Sequence, residues 1–111
     1  MTGSPRERAE RELGRVLTRL AALGPTRVSR PPDGGGPSPA DVVRPVLQEL
    51  ADEAAALEGR SPAVVPVLED RAVGDQLAVL GRDVLASAGS AQDEAALRRT
   101  GDRLEALRRA L

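Results

Sequence analysis

The sequence predicts an all-α protein: an antiparallel four-helix bundle with a flexible Pro/Gly-rich linker after the first helix. Three observations carry that prediction. Leucine, valine and alanine recur at three- and four-residue spacing in four separate stretches. Serines stand where three of those stretches begin, at Ser4, Ser38 and Ser90, in the position of helix N-caps. Between the first two stretches lies a Pro/Gly run that a regular helix does not cross. A chain of 111 residues has room for one domain. Residues 1–23 are read as an N-terminal helix, 24–38 as the linker and 39–111 as a three-helix core that forms a single domain with helix one.

The first helix opens at Ser4-Pro5-Arg6-Glu7, with serine as cap, proline at the first helical position and glutamate three residues on. Ala9, Leu13, Val16, Leu17, Leu20 and Leu23 form its apolar face, and Gly24-Pro25 ends it. Arg6, Arg8, Arg11, Arg15 and Arg19 share the other side with Glu7, Glu10 and Glu12, which reads as a solvated face braced by ion pairs. The stretch TRVSRPPDGGGP, residues 26–37, reads as linker, since paired prolines favour extended geometry and the glycines fix none. Its glycines do not make a phosphate loop, which needs GxxxxGK[ST], and the chain has no lysine. The linker is long enough for helix one to pack on its own chain or to swap onto a second copy.

Ser38-Pro39-Ala40-Asp41 opens the second helix, and Gly59 closes it. Val42, Val43, Val46, Leu47, Leu50, Ala54 and Leu57 mark its apolar face. Pro45 lacks the N–H for a bond to Asp41 and predicts a kink, the alternative being a regular helix that begins near Arg44. Glu49, Asp52 and Glu53 are like charges that repel on a helix, which reads as an outward acidic face opposite a basic partner, with a bound cation as the alternative. The segment RSPAVVPVL, residues 60–68, is predicted to run extended, with some of Val64, Val65, Val67 and Leu68 plugging one end of the bundle; an exposed strip acting as a docking motif is the alternative.

The chain is organised around the stretch from Asp70 to Ala88, read as one helix capped by Asp70 and closed by Gly89. Val73, Leu77, Leu80, Val84 and Ala88 fall on one face, with Gly74 and Gly81 beside them. A helical glycine costs roughly 1 kcal/mol relative to alanine. Tight packing by a neighbouring helix is the compensation expected at Gly74 and Gly81; a ligand-approach surface is the alternative. The opposite face holds Arg71, Asp75 and Arg82 but also Ala78, Val79 and Ala86, so this helix is expected to be covered on both sides. Asp75 is placed to pair with Arg71 or Arg82. The last helix carries Leu97, Leu104 and Leu111 at seven-residue intervals, with Thr100 and Leu107 between, as a narrow packing seam.

Composition excludes more chemistry than it suggests. The chain has no Cys, His, Trp, Tyr or Phe, and all 16 of its cationic residues are arginine. That usage is what GC-rich codons produce, which points to a high-GC bacterial genome. Without His, Cys, Lys or Tyr the usual general bases and activated nucleophiles are missing, so no catalytic residue is assigned and the chain is read as a non-enzyme. Zinc needs thiolate or imidazole, and no loop motif supports a harder cation, so no metal or cofactor is expected. No small-molecule site is identifiable.

A formal net charge of −1 gives no global argument for nucleic acid or membrane. By segment it is uneven. Residues 1–23 carry five Arg against three acids, 39–59 one Arg against five acids, and 90–111 five Arg against four acids. Two basic helices around an acidic one read as intramolecular complementarity. Met1 to Leu13 contains no apolar core segment, no run approaches a membrane span, and zero cysteine fits a reducing compartment, so the cytoplasm is expected.

The function expected from these readings is a protein–protein interaction or self-association module whose partner is another protein or a second copy. Its contact residues are Val79, Ala78, Ala86, Val64, Val65, Leu97, Leu104 and Leu111. The alternative is a helix-turn-helix-like DNA-binding regulator, with Arg98, Arg99 and Arg103 on the second helix of the motif. Against it, Asp93 and Glu94 occupy that helix's first turn, where they would repel phosphates.

Overall fold

The computed structural model describes residues 3–111; the first two residues of the N-terminal segment lie outside them. Helix α1 (Pro5–Arg27) starts as its sequence dictates. Ser4 Oγ accepts the Glu7 N–H at 3.1 Å, and the Glu7 carboxylate accepts the Ser4 N–H at 3.3 Å. This reciprocal pair satisfies two donors that a helix start leaves free. Gly24 adopts φ 74° and ψ 173°, a left-handed φ that glycine tolerates without a Cβ clash, and α1 kinks there. One further turn follows from Pro25 to Arg27, and Val28 then buries its side chain in the core. The linker is therefore tied down at its start. The Val28 carbonyl accepts the Ala40 N–H at 2.9 Å, which closes the loop, while Pro31 to Pro37 stay exposed.

Helix α2 (Pro39–Glu58) is capped by Ser38, whose Oγ accepts the Asp41 N–H at 3.2 Å. Pro45 does not break it: the helix is continuous from Pro39, with Pro45 exposed in its second turn. Gly59 ends α2 in the left-handed region, at φ 69°. The central helix α3 spans Val73–Ser87, shorter than expected at its start, where a 3₁₀ turn covers Asp70–Ala72. Asp70 is not a cap; its carboxylate is taken by Arg44 Nη2 at 2.7 Å. Nor does Gly89 close the helix with a left-handed residue; its N–H and that of Ser90 both donate to Asp93 Oδ2. Helix α4 (Glu94–Ala110) follows a second 3₁₀ turn at Ala91–Asp93.

Leu13, Val16 and Leu20 of α1, Val43, Leu47 and Leu50 of α2, Val73, Leu77 and Val84 of α3, and Leu104 and Leu107 of α4 meet in one core. Each contributes about 1.5–3 kcal/mol through removal from water. Both α1 and α2 pack against both α3 and α4.

The order of cross-helix pairs fixes the directions. Along α1 and α4 it rises together: Arg8 meets Asp102 at 2.7 Å, Glu12 meets Arg108 at 2.8 Å, and Arg19 donates to the Leu111 carbonyl at 2.9 Å. Along α2 and α3 it also rises together, from Arg44–Asp70 to the Ser87 Oγ–Glu58 bond at 2.7 Å. By contrast α2 and α4 run oppositely, with Glu49 on Arg103 and Glu53 on Arg99. So do α1 and α3, with Arg6 donating to the Ala88 carbonyl and Leu13 lying beside Gly81. The bundle is thus mixed, not antiparallel throughout, because α2 and α3 are parallel neighbours and need a long crossover.

Residues 60–69 supply that crossover as a strap that returns along α2. Ten extended residues reach up to about 35 Å, against about 21 Å for the 14 helical steps from Arg44 to Glu58. The strap runs along the side of the bundle instead of plugging its end. Gln48 grips it through both ends of its amide, Nε2 donating to the Ala63 carbonyl and Oε1 accepting the Val65 N–H, each at 2.9 Å. Gln76 Nε2 donates to the Pro66 carbonyl at 3.0 Å, and Arg44 Nη2 to the Leu68 carbonyl at 2.9 Å. These side chains replace the ladder that a lone extended segment lacks.

Candidate functional site

The two glycines of α3 have different surroundings. A Cβ on Gly81 would lie 2.9 Å from both methyl carbons of Leu13, so here α1 approaches α3 with no room for a side chain. A Cβ on Gly74 would meet nothing within 4 Å. Close approach therefore accounts for Gly81 but not for Gly74. A second close approach, not signalled by periodicity, occurs at Gly101 of α4, where a Cβ would lie 3.1 Å from Arg8 Nη1.

Gly74 opens a groove of about 470 Å³ between the end of α1 and the start of α3. Leu17, Leu20, Ala21, Val73 and Ala78 line its apolar part, and Arg71, Asp75 and Arg82 stand along its α3 side. The kink at Gly24 contributes to this opening, because it turns the last turn of α1 off the helical path. A second hollow of about 400 Å³ lies between α2 and the strap, lined by Pro45, Gln48, Val64, Pro66, Val67 and Gln76.

Of the expected contact residues, Val64 is 88% exposed and Val79 59% exposed. Ala86 is exposed, Ala78 half-buried at the groove, and Val65, on the strap itself, half-buried against the core. Leu97 and Leu104 are only 5% and 1% exposed and face their own chain's interior; Leu111 is half-buried against the same core. The seven-residue seam of α4 is therefore consumed within the chain, since α4 needs that stripe to pack on α1 and α2. Val67 at 79% and Leu68 at 48% exposure join Val64 on the strap.

The basic residues of α4 are also consumed. Glu53 is buried and receives Arg99 Nε at 3.0 Å, Arg99 Nη2 at 2.9 Å and Arg103 Nη1 at 2.8 Å. Arg103 reaches Glu49 as well, at 3.3 Å. Glu12, also buried, receives Arg108 Nε at 2.8 Å and Arg15 Nη1 at 3.4 Å. The hydrogen bonds from Arg99 hold the Glu53 carboxyl below its ordinary range against the opposing effect of burial. Arg108 does the same for Glu12, and each arginine is correspondingly raised. Charge asymmetry by segment signals such pairing, but nothing in the spacing separates buried Glu12 and Glu53 from exposed Glu10 and Asp52. With Arg98 beside Glu94 at 3.8 Å, α4 does not present the free basic face of a recognition helix.

Expected pairs on α3 do not form. Arg71 turns back to Glu69 at 2.6 Å, because the 3₁₀ turn places it before the regular helix. Asp75 and Arg82 lie seven residues, about 10 Å, apart along the axis, too far to pair within one helix. Among the described residues, no three carboxylates converge as a metal site would require, and no helix is long and apolar enough to cross a membrane. Comparison of the chain with protein-family models, with curated proteins and with solved structures returns no match to any of them.

Proposed function

We propose that this chain is a non-catalytic helical module for protein–protein interaction or self-association, working in the cytoplasm. One observation carries the reading: Val64, Val67, Leu68 and Val79 keep their large apolar side chains in water although the chain has a core that they do not join. Three sit on the strap, and Val79 lies one turn on from Gln76, the α3 residue that holds the strap at Pro66. Apolar groups collected on one side of a small domain supply the non-directional attraction that drives association. The residue types left in the chain, with neither imidazole nor thiol, agree with a binding role.

The test is sedimentation equilibrium of the wild-type chain and Val79→Glu over a wide concentration range. The variant is expected to keep wild-type helicity and melting temperature while association weakens about tenfold or more, since a carboxylate must be desolvated at the contact. Association at wild-type strength in Val79→Glu refutes this mapping of the surface.

A further inference from the structure

The charges on α3 set it apart. Among the described residues, every charged side chain of α1, α2 and α4 except Arg11 has an ion-pair or hydrogen-bond partner in its own chain. Helix α3 carries three charged side chains, Asp75, Arg82 and Asp83, and none of them has a partner among the described residues. Asp75, Val79, Arg82 and Ala86 follow one another at steps of four, three and four residues, which aligns them along one side of a helix. All four are exposed, on the side away from buried Val73, Leu77, Gly81 and Val84.

An unpartnered acid and an unpartnered base with an exposed valine between them form a self-complementary pattern. A two-fold axis passing beside Ala78 and Val79 turns the stripe end for end, which lays Asp75 of each copy against Arg82 of the other. We infer that the outer face of α3 is the contact surface for a second copy of this chain, two α3 helices packing antiparallel about Ala78 and Val79 and closed by two Asp75–Arg82 pairs. The inference rests on the interaction-module reading above and names its partner. Ala78 admits close approach at the axis, Val79 supplies the apolar contact, and the charges fix direction and register. One helix face is small beside the roughly 1,200–2,000 Å² of a standard interface, so the dimer dissociates in the micromolar range or above and weakens with salt.

The experiment is sedimentation equilibrium of the full chain and of Asp75→Arg and Arg82→Asp, alone, mixed in equal amounts, and combined in one chain. Each single variant places like charges opposite each other twice, so its dimer dissociation constant is expected to rise about tenfold or more. The equimolar mixture re-forms two opposite-charge pairs and associates within about threefold of wild type, as does the doubly exchanged chain. Both positions are exposed, so helicity stays at the wild-type value and reports that the variants fold; Asp75 stands in the first turn of α3, where a carboxylate suits the helix N-terminus, so Asp75→Arg melts a few degrees lower while Arg82→Asp melts as wild type. A wild-type chain that stays monomeric at several hundred micromolar overturns the inference and leaves a different protein as the module's partner. A wild-type dimer indifferent to the charge exchanges, or single variants that the mixture fails to rescue, overturns the α3 register while the module reading stands on its strap.

Discussion

Replacing Glu53 by glutamine keeps the side chain's shape and removes the charge on which three arginine N–H groups converge between 2.8 and 3.0 Å. Hydrogen bonds to a charged group contribute about 1.5–3 kcal/mol. The arginines escape to water when the carboxylate goes: the Arg99 side chain is 53% exposed, and Arg103 keeps Glu49. Solvent screening therefore trims the net cost to about 1–2 kcal/mol at neutral pH. For a domain of this size that lowers the melting temperature by roughly 4–10 °C. The pH dependence has a definite sign. Arg99 holds the folded-state carboxyl below its ordinary value of 4.5, so the unfolded chain takes up the proton first as pH falls. The stabilisation is complete above that value and is lost as pH drops through the folded-state pKa. Glu12 titrates with the same sign in both proteins, so the difference between wild type and Glu53→Gln isolates Glu53. Thermal and urea unfolding followed by circular dichroism, from neutral pH down to about pH 2.5, reads this difference. Equal stability at neutral pH, or a gap that persists undiminished at the acid end, would mean that the Glu53 charge does not stabilise the fold.

The two α3 glycines give a contrasting pair. Gly74→Ala is expected to be neutral or to stabilise by up to about 1 kcal/mol, because open space lets the better helix former act alone. Gly81→Val drives branched carbons into Leu13 and is expected to cost about 1–3 kcal/mol. Urea midpoints of both variants check this, and similar shifts would contradict the difference in packing. Gln48→Ala releases the Ala63 carbonyl and the Val65 N–H together. The expected result is about 1 kcal/mol of lost stability and faster limited proteolysis within residues 60–69, read by mass spectrometry. An unchanged cleavage rate there would mean that Gln76 and Arg44 hold the strap without it.

What the sequence determined by itself is the local part of the fold. Ser4 with Glu7, and Ser38 with Asp41, mark helix starts because capping needs only residues three apart and a backbone not yet in a helix. Apolar periodicity picked the inward faces of all four helices for the same reason, since a helix brings residues three and four apart together wherever it sits. Leucine spacing also made the α4 seam conspicuous, yet periodicity reports only that a face is apolar, not whether its own chain or another covers it. Tertiary structure alone decided that Leu97 and Leu104 turn inward while Val64 and Val79 remain outside. It alone decided which glycine meets a neighbour, because that depends on where Leu13 lands from another helix. The same holds for direction. Caps and stripes look alike in parallel and antiparallel pairs, and only the path of residues 60–69 along α2 makes α2 and α3 run the same way. Burial of Glu12 and Glu53, and the unpartnered charges of α3, follow from that topology: it delivers arginines from α4 to α1 and α2 and brings none to Asp75.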